Sequence, residues 1–189
     1  MRANVMIKRT VKKLIDEAAS NLKIANVYMT YNENFCHLIP LKASDQLFLA
    51  INEYDFIFDG FRVSRFRDIK EVQMGSNKFN EMIQGEGLLD NLHIPEINLE
   101  NWQTVFEGLK DIGNNVIVEY ETADGEDDNF TIGRIDQVYK SCLYMYHFDA
   151  DGIWELEPYR IPYTEVTSVT FDSRYINVFS KYISTYGNM

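Results

Sequence analysis

The chain of 189 residues carries 18 lysines and arginines against 29 aspartates and glutamates, a formal net charge of −11 with a pI near 4.7. So acidic a balance argues against a general binder of nucleic acid or anionic membrane. With 46% hydrophobic and 14% aromatic residues the chain is not wholly disordered, and it is long enough for two small domains each to bury a core.

Ile7, Val11, Leu14, Ile15, Ala18, Ala19 and Leu22 fall on one stripe at helical spacing, which predicts an amphipathic helix over 7–22. Short β-prone runs follow at 24–31, 35–41, 46–52, 56–58, 61–64 and 69–74, separated by Asn, Asp and Gly, an all-β meander. Ser76 ahead of Phe79, Met82 and Ile83 marks a capped helix. The stretch 84–100, punctuated by Gly85, Gly87 and Pro95, has no clean periodicity and is the expected join, dividing the chain into units 1–92 and 93–189. Its Leu88, Leu89, Leu92, Ile94 and Ile97 predict a linker that packs on a domain rather than swinging free.

The second half repeats the plan. Trp102, Val105, Phe106, Leu109 and Ile112 form a second apolar stripe stopped by Gly113 and Asn114. Strand-like runs follow at 116–121, 130–138, 143–148, 153–157 and 166–171, with Asp124-Gly125 and Asp151-Gly152 as turn signals. Ser173 then caps a helix bearing Tyr175, Ile176, Val178, Phe179, Tyr182, Ile183 and Tyr186, apolar around so much of its girth that it is expected also to cover the other domain or a neighbouring subunit, with a groove left open for a partner as the alternative. An ungapped offset of 97 lays 64–83 on 161–180, so that Phe66 meets Tyr163, Ile69 meets Val166, Val72 meets Val169 and Ser76 meets Ser173. Identities are few, and the shared order of helix, strands, short turn, strand and helix is what predicts a tandem duplication.

Each half therefore reads as mainly β with flanking helices (α+β), and about five strands in some 50 residues, with a polar turn (65–68 and 162–165) before the last strand, resemble a small SH3-like or Sm-like barrel. IGRIDQVYKSCLYMYHF (132–148), in which Gly133 opens a strand, is similar to the first Sm motif. PYRIPYTEVTSVTF (158–171) falls where the second would be but lacks its glycine after a basic residue, and the first half has Cys36 where Gly133 is placed. The resemblance implies the fold, two tandem barrels each preceded and followed by a helix, and transfers no RNA-contacting residue.

Chemistry is sparse. Cys36 and Cys142 lack a CxxC or a Cys/His partner at ligand spacing, which predicts free thiols in a reducing cytosol and neither disulfide nor zinc. His37, His93 and His147 are in no metal pattern, and His37 and its neighbour Cys36 point to opposite faces of a strand. Asp124, Glu126, Asp127 and Asp128 miss the calcium-loop spacing. Nucleotide-loop and nucleophile-elbow motifs are missing, so no catalytic residue, metal or cofactor is expected. The N-terminus lacks an apolar h-region and no window reaches the roughly 18 apolar residues of a membrane span, which predicts a cytoplasmic protein without a membrane partner.

Charge divides unevenly: residues 1–97 hold 12 basic and 13 acidic groups, residues 98–189 hold 6 and 16. The expected function is a non-enzymatic module for protein–protein association or self-association, with Tyr175, Phe179, Tyr182 and Tyr186 as anchors. The alternative is RNA or DNA binding through Lys8, Arg9, Lys12 and Lys13 of the basic first helix with Arg62, Arg65 and Arg67, against which the net charge speaks.

Overall fold

The computed structural model describes residues 7–122 and 129–183. The acidic residues Asp124, Glu126, Asp127 and Asp128, the Asp124-Gly125 turn and the expected anchor Tyr186 lie outside the described residues. The chain is mainly β with four α-helices among the described residues, and it divides into two compact units, Met1–Glu96 and Ile97–Met189.

The first unit opens with α1 (Lys8–Asn21), where Val11, Ile15 and Ala18 recur at i, i+4 and i+7 and are buried. The helix stops at Leu22 in the left-handed region. Strands β1 (Ala25–Met29), β2 (Phe35–Ala43), β3 (Leu47–Tyr54), β4 (Ile57–Arg65) and β5 (Ile69–Met74) follow, then α2 (Asn77–Gly85). All pairings are antiparallel, in the order β5-β1-β2-β3-β4, and the outer strands β5 and β4 are joined by a 3-10 turn (Phe66–Asp68). Helix α1 packs over β2, β5 and that turn. Its apolar stripe meets Ala25, Val27, Met29, Leu38, Phe48, Ala50, Ile69 and Val72, each large side chain contributing about 1.5–3 kcal/mol by burial. The runs expected at 56–58 and 61–64 are one strand. Gly60, at φ 73, sits in a bulge beside Asn52, so the glycine marks an extra residue rather than a break.

The second unit runs α3 (Trp102–Ile112), β6 (Val116–Tyr120), β7 (Asn129–Val138), β8 (Cys142–His147), β9 (Tyr159–Pro162), β10 (Ser168–Phe171) and α4 (Arg174–Phe179). Asn101 and Thr104 close a capping box at the start of α3, and Gly113, at φ 81, ends it. The strand order is β10-β6-β7-β8-β9, the first unit's order strand for strand.

Register repeats as well as order. Leu38 stands opposite Ala25 and Asn52 as Gly133 stands opposite Val116 and His147. The second strand of each sheet carries a bulge at the same place, Leu41 in one and Asp136 in the other. The Phe66 amide donates to Gln46 O at 2.9 Å, and the Tyr163 amide to Ser141 O at 3.0 Å. Val72 pairs with Val27 and Val169 with Val118, which maintains the offset of 97 in the last strand. The Ser76 and Ser173 hydroxyls accept from the Phe79 and Ile176 amides.

Gly133 corresponds to Leu38, not Cys36, which stands opposite Val27. The glycine is dictated by packing, since a Cβ there would lie 2.0 Å from Tyr146 O. The run 153–157 is not a strand: Asp149 Oδ1 accepts from the Asp151 and Ile153 amides, and only an isolated Phe148–Trp154 bridge forms before β9. The C-terminal helix is six residues long rather than reaching Tyr186, because Ser180 Oγ turns back onto Ile176 O and the flanking β-branched and aromatic residues are weak helix formers.

Candidate functional site

The second unit concentrates exposed aromatic surface around α4. Ile176 is buried with Ile117 and Ile132, and Phe179 and Ile183 pack on the same cluster, which also holds Phe148 and Trp154. The Phe179 ring stacks on Phe148 with centroids 5.3 Å apart and lies 5.6 Å from Tyr175. Phe130, opposite Glu119 in the sheet, meets the Tyr175 ring edge-on at 6.4 Å. Tyr175 and Phe130 are each 52% exposed and Tyr182 84%, with Val178 exposed between the tyrosines. The predicted anchors thus separate: Phe179 holds the helix down, whereas Tyr175 and Tyr182 project. Phe130 was not foreseen. Its signal is the pair Phe130 and Ile132, apolar on the strand phase opposite to Ile135, of which Ile132 is covered and Phe130 left exposed.

In the first unit the aromatics face one another. Rings run in sequence from Tyr28 to Phe35 (5.4 Å), His37 (4.9 Å, stacked), Phe79 of α2 (6.0 Å) and Phe56 (4.7 Å, stacked). Behind them lies Glu53, its side chain fully buried. Glu53 Oε1 accepts from the Phe56 amide at 2.6 Å, and Oε2 is 3.1 Å from His37 Nδ1. Asp55 and Phe56 have φ of 49 and 67, a two-residue turn that usually demands Asn-Gly. The carboxylate and the Phe79 stack hold this turn where local preference would not. Glu53 was also missed; a carboxylate closing the apolar run LFLAIN was its signal. Cys36 packs on the unit's core while His37 turns to Glu53, so the two form no catalytic pair.

The basic residues fall into two groups. Lys8, Arg9 and Lys13 are exposed on α1. Lys12 Nζ donates to Ser44 O, lies 3.4 Å from Asp45 Oδ1 and sits 5.4 Å above the Phe66 ring. Arg65 is buried and its Nε donates to Asp68 Oδ2; Arg67 Nε is 3.7 Å from Asp68 Oδ1; Arg62 Nε donates to Ser64 Oγ at 3.2 Å. Phosphate contact by Lys12 or Arg65 would require breaking these links.

Burial pushes the Tyr163 hydroxyl well above the ordinary tyrosine pKa, Cys142 and Glu107 adding to the shift, and the hydroxyl donates to Tyr139 O at 2.8 Å. A cleft in the second unit is lined by Val118 and Glu119 of β6, Thr131 of β7, Tyr159 and Ile161 of β9, and Glu165. Among the described residues no group of three or more His, Cys, Asp or Glu side chains could hold a metal ion, Cys36 and Cys142 form no disulfide, and no helix is long and apolar enough to cross a membrane. Comparison with protein-family models, curated proteins and solved structures gave no significant match.

Proposed function

We propose that the chain is a non-enzymatic, cytoplasmic module for protein association, built from two tandem SH3-like or Sm-like small barrels, and that it binds through the aromatic surface of the second unit. The observation that carries this reading is the exposed set of Tyr175 and Val178 on α4, Phe130 on β7 and Tyr182 just past the helix end, with α4 fastened from beneath by Ile176 and Phe179. Rigid aromatic side chains on a fixed base present large contact area at low entropic cost.

The barrel reading draws on three features: the order β5-β1-β2-β3-β4 and its repeat, the second-strand bulge that bends each sheet, and a cleft lined jointly by β6 and β9, which are not sheet neighbours. RNA or DNA binding receives less support, since Lys12, Arg65 and Arg67 have acidic neighbours, which leaves Lys8, Arg9 and Lys13 as the exposed cations of α1 among the described residues.

The test places a photo-crosslinking phenylalanine analogue at Tyr182 of the full chain. A discrete protein adduct, or a dimer of the chain, weakened by Tyr175→Ala with an unchanged circular dichroism spectrum, is the expected result. The same pattern from the analogue placed at Glu100, an exposed position ahead of α3, removes the reading.

A further inference from the structure

Resting on that association reading, we infer that the segment docked on the second unit is cationic and carries an aromatic or aliphatic anchor. The aromatic floor has an acidic rim. Asp172, exposed, directly precedes the Ser173 cap of α4, and its carbonyl accepts from Asn177 Nδ2 of that helix. Gly152 lies against Ile183, the neighbour of Tyr182; exposed Asp151 precedes it, and its amide donates to the carbonyl of exposed Asp149. Glu155, exposed, follows Trp154, whose indole packs on Phe148 and, through it, on Phe179. Against these four carboxylates the α4 region sets Arg174 and Lys181. The bias continues beyond the patch, residues 98–189 holding 6 basic and 16 acidic side chains.

A lysine or arginine at such a rim gains Coulomb attraction from the carboxylates and a cation–π contact from the exposed faces of Tyr175 and Phe130. An apolar side chain between them covers Tyr175, Val178 and Tyr182, the area a neutral solvent-facing helix would not expose. An acidic partner would meet four carboxylates against the two cations Arg174 and Lys181, so the surface selects by repulsion as well as by attraction.

The test titrates the full chain with a fluorescently labelled amphipathic peptide alternating lysine and leucine, read by anisotropy. Saturable binding is expected, weakening about tenfold between ~0.05 and ~0.5 M salt. The pair Tyr175→Ala and Tyr182→Ala, and separately Asp151→Lys with Glu155→Lys, each weaken it about tenfold. The same charge reversal at Glu100 and Glu107, exposed ahead of α3 and midway along it, before the end of that helix, where Asn114 bonds Asp172, leaves affinity unchanged. An otherwise identical peptide with glutamate for lysine, bound as tightly, overturns the cationic inference and leaves the association reading standing. Equal loss from the Glu100 and Glu107 reversals reduces the effect to general charge attraction and overturns it too. No binding of the cationic peptide also overturns it, while crosslinking from position 182 decides the association reading separately.

Discussion

The two units share wiring but not surface. Strand order, register, the second-strand bulge and the serine cap before the last helix coincide; the first three are backbone features, and the fourth is a side chain serving backbone amides. They part at matching positions: Glu53, which follows Asn52, corresponds to Phe148, which follows His147. In the first unit the carboxylate closes a two-residue turn, and Phe56 is drawn onto Phe79. In the second the phenylalanine ring seats Phe179 of α4, and the connection to β9 lengthens to run from Phe148 to Pro158. One scaffold thus turns its aromatics toward itself and the other toward solvent. The lesson is that backbone hydrogen bonding preserves the plan while one side chain at a strand end decides whether a unit closes its surface or presents it.

The comparison is broken most severely at Gly133. Replacing it by alanine forces a Cβ against Tyr146 O, and a loss of about 4 kcal/mol is expected in urea unfolding, although the first unit carries Leu38 at the matching place. Next, Glu53→Gln weakens the bond from the Phe56 amide and is expected to cost about 2 kcal/mol, with loss of hydrogen-exchange protection at Phe56 and none in the second unit. Ser76→Ala and Ser173→Ala should each cost about 1 kcal/mol, and equal values would sharpen the parallel between the caps. The smallest effect is alkaline. The unfolded chain releases the Tyr163 proton near pH 10.0, whereas the folded chain retains it to higher pH. Stability from the neutral hydroxyl is therefore complete below that pH and falls as pH rises above it, and Tyr163→Phe should flatten this slope in pH-dependent melts.

The helices α1 and α3 were legible because their apolar residues keep a 3.6-residue stripe that only a helix can bury. The offset of 97 was legible because β5 and β10 pair with the first strand of their sheets in the same phase. An ungapped offset misplaces Gly133, since the stretch from the second strand to the last is two residues longer in the second unit (Gly133 to Val169 against Leu38 to Val72), a shift that leaves the strand alternation unchanged. The C-terminal helix is shorter than its apolar stripe because such a stripe reports which face is covered, not where the helical hydrogen bonds end. Neither Glu53 nor Phe130 could be placed from spacing alone. Their partners, His37 at one end and Tyr175 at the other, come from strands and helices far along the chain.

The turn at Asp55 and Phe56 has a consequence for how the first unit holds together. Hairpins that form early carry their own turn signal, so that adjacent strands meet before distant ones do. Here both turn residues occupy the left-handed region without glycine, and their support comes from Glu53 and from Phe79, 23 positions further on. The β3–β4 turn is accordingly held by one contact close in sequence and one distant, and α2, the last helix of the first unit, acts as its latch.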